Sequence, residues 1–203
     1  MTANELQRQL KELLLDACIR HLEYMKSDLK NKSVFSYSIY CSSGFRSMGV
    51  ASGTREGLAQ RKSQISVSQK ENDWYAEVNA AEWDYVNQHY EIFSAVDSLI
   101  DELYTIFYDG HLDDINLDEM SDNQLWEFIS SFFSQVIDFV ISNLLKLGAF
   151  SDSIFEDDLL LGVQFGDPDI YCVDSILNLS SHLNSDFWHS KVVLNCERIK
   201  KDM

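Results

Sequence analysis

Leu125, Phe128, Ile129, Phe132, Val136, Phe139, Val140 and Leu144 recur at three- and four-residue steps, the period of a helix that turns one face inward. Trp126, Phe133, Ile137 and Ile141 widen that face beyond a single stripe, so more than one side is expected to be buried. Ser121 with Gln124 three residues on forms a capping-box pattern at the start. Lys146 in the last turn and Gly148 just beyond it mark the end. The pattern predicts a central apolar helix over 122–147 around which the rest of the chain packs. Only ten residues separate Glu127 from Asp138, well short of the roughly 20 apolar residues a bilayer span requires. The stretch therefore reads as a core helix, each large side chain contributing about 1.5–3 kcal/mol when fully buried.

The same periodicity places the other elements. Thr2 and Glu5 form a second capping-box pattern, and Leu6, Leu10, Leu13, Leu14, Ala17, His21 and Met25 continue at helical spacing, predicting a helix over 4–25. His21 falls on its apolar side and reads as a hydrogen-bonded core residue. Over 34–40, Phe35, Tyr37 and Ile39 alternate with Ser36 and Ser38, the mark of a half-buried strand. Ser42-Ser43-Gly44 supplies a turn, and 45–51 reads as the returning strand of a hairpin. Thr54 is expected to cap a short helix over 54–60, followed by an exposed loop over 61–72. The stretch 73–85 alternates Trp74, Ala76 and Val78 with Tyr75 and Glu77, as a third strand does. A helix over 88–108 follows, its apolar side Tyr90, Phe93, Val96, Ile100, Leu103 and Phe107. After the central helix come an acidic connection over 150–158, a short buried strand over 159–165 and a helix over 170–184. The tail, 191–203, fits strand and helix equally. The order predicts an α+β fold in a single domain spanning 1–203, with an antiparallel or mixed sheet of about four strands packed with long helices on one face.

Charge sharpens the picture. The chain carries a formal net charge of −17. Residues 1–70 hold 11 basic and 6 acidic side chains, residues 71–190 hold 1 basic and 25 acidic, and residues 191–203 hold 4 basic and 2 acidic. The middle of such a chain repels phosphates, which argues against nucleic acid as a partner, and it favours a basic protein. Glu91, Asp97, Asp101 and Glu102 mark the polar face of the 88–108 helix. Asp109, Asp113, Asp114, Asp118 and Glu119 fill the loop after it, which has no lysine or arginine. Together they form the expected partner-binding surface.

The N-terminal stretch is charged and amphipathic, without the apolar core and cleavage site of a signal peptide. A cytoplasmic location and reduced thiols at Cys18, Cys41, Cys172 and Cys196 are expected, with no membrane attachment.

Catalytic signatures are missing. There is no HExxH, GxSxG, P-loop or GxGxxG, and the histidines at 21, 89, 111, 182 and 189 never stand four apart, so no metal or cofactor is expected. As an EF-hand read from Asp114, the acidic loop puts Glu119 where glycine is required and Leu125 where the bidentate glutamate belongs. Two other readings stay open: a hydrolase using carboxylates among Glu77, Glu82, Asp167 and Asp169, and a non-catalytic adaptor whose charge serves solubility.

Three stretches, FSYSIYCSSGFRSMGVASGTREGL, WYAEVNAAEWDY and LLLGVQFGDPD followed by SILNLSSHLN, resemble the bacterial family catalogued as domain of unknown function 4303. The resembling features are the aromatic strand over 35–40, Thr54-x-Glu56-x-Leu58, Ala81-Glu82-Trp83, Asp167-Pro168-Asp169 and the Ser175–Asn178 helix segment, within residues 34–184. Gly53-Thr54-Arg55 departs from the Asn-Thr-acidic start of the family pattern, which leaves any role of that side chain open. No activity is established for that family. The resemblance implies a setting among immunity proteins of polymorphic-toxin loci, which bind a cognate toxin, often a basic nuclease, and neutralise it by surface occlusion.

Overall fold

A computed structural model describes residues 1–64, 74–109 and 111–202, without the side chains of Asp109 and Asp202. In chain order come α1 (Ala3–Asp28), β1 (Val34–Cys41), β2 (Met48–Ser52), α2 (Arg55–Gln64), β3 (Tyr85–Val86), α3 (Ser94–Asp109), α4 (Asp122–Lys146), β4 (Phe155–Phe165), α5 (Ile170–Leu183) and α6 (Asp186–Asp202). The four strands form one mixed sheet in the order β3-β2-β1-β4. β1 pairs antiparallel with β2, placing Ile39 opposite Val50, and parallel with β4, placing Tyr37 opposite Leu161. The α+β class and the central apolar helix are as the hydrophobic pattern predicts.

Both capping boxes form. Glu5 N donates to Thr2 Oγ1 at 3.2 Å while Thr2 N donates to Glu5 Oε2 at 2.8 Å, and the Ser121–Gln124 pair starts α4 in the same way. Gly148, at φ 65°, takes the left-handed turn that ends α4. By length and composition α4 could cross a membrane. Here it is packed against α1, α5 and β4, with Phe133 stacked between Phe45 and Tyr104.

Several expectations are corrected. Ser36 and Ser38 are 0% and 1% exposed, so both faces of β1 are covered where the alternation predicts one. A small hydroxyl fits in the covered face because it finds a partner: Ser36 Oγ accepts from Gly53 N at 2.7 Å. The third strand shrinks to Tyr85–Val86, because residues 74–77 and Ala80–Glu82 wind into 3₁₀ turns instead. α2 runs on through 64, four residues into the expected loop, and the rest of that loop lies outside the described residues. The 88–108 helix starts later, at Ser94, after a 3₁₀ turn entered through His89 at φ 54°. β4 begins at Phe155, inside the expected acidic connection, and the undecided tail is helical.

The turn after β1 is strained. Gly44 and Phe45 both have positive φ, 65° and 58°, a conformation uncommon for a bulky side chain. The ring of Phe45 is held by stacking on Phe133 at 5.3 Å and by edge contact with Phe165 at 5.0 Å, while Gly44 O accepts from the Tyr104 hydroxyl.

Candidate functional site

The acidic surface is built on α1. α3 turns Val96, Ile100, Leu103 and Phe107 inward and packs along α1, leaving Asp101 and Glu102 exposed on its far side. The loop after α3 is tied down by a bridge between His111 and Asn116 and by buried Leu117, and it meets the start of α1. Asp114 Oδ1 accepts from Ala3 N at 2.9 Å, and Asp113 Oδ2 lies 2.5 Å from the Met1 amine. Carboxylates here also complement the positive end of the α1 dipole.

The nine expected residues divide. Asp101, Glu102, Asp118 and Glu119 are exposed and form no ion pair among the described residues. Glu91 is exposed too, with only His89 within reach, at 3.9 Å. Asp113 and Asp114 serve the start of α1. Asp97 faces inward, accepting from Met48 N at 3.1 Å and from the Tyr90 hydroxyl at 2.5 Å. Asp109 ends α3, and its side chain lies outside the described residues.

Between α1 and α3 runs a shallow groove of about 370 Å³, lined by Gln9, Glu12, Leu13, Asp16 and Leu99. Leu13 is 38% exposed and forms an apolar centre with a polar rim, the anatomy of a protein interface. The rim carboxylates Glu12 and Asp16 meet Arg8 at 3.2 Å and Arg20 at 3.9 Å in exposed pairs along α1, which hold little energy. Sequence reasoning missed Glu12 and Asp16 because they belong to the net-basic first third of the chain. The available signal was Leu13, one position off the buried Leu6-Leu10-Leu14 stripe.

Elsewhere, charge is cancelled by the basic ends of the chain. Arg55 holds Glu156 through two bonds of 2.7 and 2.6 Å. Lys32 reaches Asp84 at 2.9 Å, Arg61 pairs with Glu82, Lys62 and Lys191 share Glu77, and Lys200 reaches Asp174 at 3.2 Å. Burial works to raise the Glu77 carboxyl, yet the two ammonium groups hold it below the usual range. Arg55 does the same for Glu156.

Of the four carboxylates considered for hydrolysis, three are thereby occupied separately. Glu77 and Glu82 sit in ion pairs, and Asp169 caps α5, accepting from Cys172 N at 2.8 Å. Asp169→Ala is expected to lower stability by about 1 kcal/mol, read as a lower urea midpoint with an unchanged slope.

A second groove, between α4 and α5, tests nucleophilic chemistry. Ser134 donates to Ser175 at 2.9 Å, and Ser175 donates to Tyr171 O at 3.1 Å. His182 directs Nε2 at Asp138, 2.7 Å away, and Nδ1 at Asn178 O, 3.0 Å away. Neither His182 ring nitrogen faces a serine. His189 Nδ1 does meet the Ser180 hydroxyl at 3.1 Å, but that hydroxyl is 2% exposed and also accepts from Asn184 Nδ2 at 3.1 Å. The four cysteines are free and buried, and burial pushes the thiols of Cys18, Cys172 and Cys196 up to about 12, against thiolate chemistry. Among the described residues, no group of three histidine, cysteine or carboxylate side chains could hold a metal.

No family model, curated protein or solved structure matches the chain.

Proposed function

We propose that this protein is a non-catalytic inhibitor, an immunity-type protein of the cytoplasm that docks its α1–α3 flank on a basic toxin and occludes it. The observation that carries the reading is the uneven pairing of charge. The basic ends of the chain neutralise Glu77, Glu82, Asp84, Glu156 and Asp174, while Asp101, Glu102, Asp118 and Glu119 stay exposed around a flank whose groove has an apolar centre. An unpaired negative surface accelerates encounter with a cationic partner and excludes partners of like charge. The resemblance to domain of unknown function 4303 points the same way, and a nuclease, with its basic cleft, is the toxin class that suits the surface.

Co-expression with toxin genes encoded alongside it tests the reading. The protein should rescue growth against one of them. Reversal of Asp101, Glu102, Asp118 and Glu119 to Lys should slow association by at least about tenfold and remove most of its salt dependence, with circular dichroism unchanged. Rescue that survives all four reversals, or a partner with an acidic surface, overturns the proposal.

A further inference from the structure

Beyond the carboxyl end of β4, on the side of the molecule where the charges are paired, lies a pocket of about 290 Å³. Crevices outside the carboxyl ends of parallel strands are where open sheets that contain them commonly bind small molecules, and β1 and β4 are this sheet's parallel pair. One wall is fixed by Gln164, whose side chain donates to Val78 O at 3.2 Å and accepts from Ala80 N at 3.3 Å. The opposite wall is α6, which presents Asn195 and Arg198 three residues apart, on one helix face.

These two side chains lack the partners that buried polar groups ordinarily have. Asn195 is 6% exposed, and its Oδ1 is buried without a hydrogen bond. Arg198 lies 4.3 Å from the Tyr75 ring centroid, and its buried Nε has no acceptor. Arg198 forms no ion pair among the described residues, and neither does Asp167, which lines the mouth of the same pocket. Ile176 and Ile199 supply an apolar floor. A cation and an anion, each unpaired among the described residues, and a buried amide thus surround a small cavity with greasy walls.

We infer that this pocket binds a small zwitterion, an α-amino acid with an apolar side chain. Its carboxylate is received by the Arg198 guanidinium, its ammonium donates to Asp167 and to the unpaired Asn195 Oδ1, and its side chain rests on Ile176 and Ile199. The planar guanidinium suits a carboxylate because two parallel N–H groups match its two oxygens. The size of the cavity, at the small end of ligand pockets, restricts the class to single amino acids. The inference is independent of the proposed inhibitor role, which uses the α1–α3 flank.

Thermal unfolding of the full chain against each of the L-amino acids, with calorimetry on any that act, tests it. Leucine, isoleucine, valine or methionine should raise Tm by about 5 °C at saturation. N-acetyl-leucine and leucine amide, each missing one charge, should bind at least tenfold more weakly. Arg198→Met and Asp167→Asn should abolish the shift with ligand-free circular dichroism unchanged, and Arg198→Lys should retain part of it. Asn195→Leu should raise the ligand-free Tm while weakening binding at least tenfold, which separates a ligand-facing amide from one with a structural partner. No shift with any amino acid, an equal shift from isobutyrate alone, or full binding by Arg198→Met overturns the assignment.

Discussion

Replacing Asp84 with alanine is expected to destabilise the protein by about 3 kcal/mol and to lower Tm by about 6–12 °C. Asp84 joins three parts of the chain. Its oxygens accept from Thr54 N at 2.9 Å, Thr54 Oγ1 at 2.7 Å and Lys32 Nζ at 2.9 Å. Thr54 Oγ1 in turn accepts from Gly57 N at 3.0 Å, capping α2. Gly57 is what lets the carboxylate approach: a Cβ there would stand 2.2 Å from Asp84 Cγ. Burial works to raise this carboxyl, but the Lys32 ammonium, the Thr54 hydroxyl and the Thr54 N–H together hold it below the usual range. Alanine leaves the Thr54 donors and Lys32 without an acceptor at once. Asp84→Asn keeps one acceptor and should lose about half as much, whereas Lys32→Met should lose less than about 1 kcal/mol, since Lys32 is 40% exposed. Urea titrations of the three variants check the ordering. Equal losses for Asp84→Ala and Lys32→Met would assign the whole effect to the ion pair and sink the account based on the Thr54 cap.

Stability should also fall by about 3 kcal/mol as pH is lowered from 6.5 to 4, and His21 is the cause. His21 is 0% exposed on α1, its ring within 6.4 Å of Tyr37, Tyr85 and Phe93. Burial pushes it down to about 4, the Gln88 carbonyl opposing in part, and Nε2 donates to that carbonyl at 3.2 Å. A histidine in the unfolded chain takes up its proton near pH 6.5. Between that value and about 4 the unfolded chain binds a proton that the folded chain refuses, so stability declines throughout the window and is fully present only above it. Carboxylates held low, such as Asp84 and Glu156, add their own losses only at lower pH, below the unfolded carboxylate range. His21→Phe removes the titration, so its urea midpoint should be lower at pH 7 and nearly flat from pH 7 to 5. A wild-type midpoint already flat over that range would refute the assignment.

Much of the fold was legible because local signals agree with tertiary ones. Thr2–Glu5 and Ser121–Gln124 announce α1 and α4 from four residues each, and the apolar period then carries through both helices. Where the sequence misled, a distant partner decided the outcome. Ser36 and Ser38 look like a wet face until the folded chain buries both, the Gly53 N–H meeting the Ser36 hydroxyl. The acidity of α3 and its loop was legible as composition, but its pairing was not. Arg55 and Glu156 lie 101 positions apart, and no spacing rule connects them. Asp97 shows the same limit on a smaller scale: its helical position matches that of Asp101, and only the nearby Met48 N–H and Tyr90 hydroxyl turn it inward. Asn195 and Arg198 acquire meaning only once the tail is known to be helical, since three residues apart is one face of a helix but opposite faces of a strand.

The parallel pairing of β1 with β4 sets a timetable for synthesis. Val34 aligns with Phe155, so a nascent chain carries β1 out of the ribosome long before the neighbour that shields one edge exists. At translation speeds of about 5–20 residues per second, that edge waits on the order of ten seconds, open to pairing with other chains. α1 and β2 are made early and can shelter part of the strand, but the sheet closes only after Phe165 has emerged.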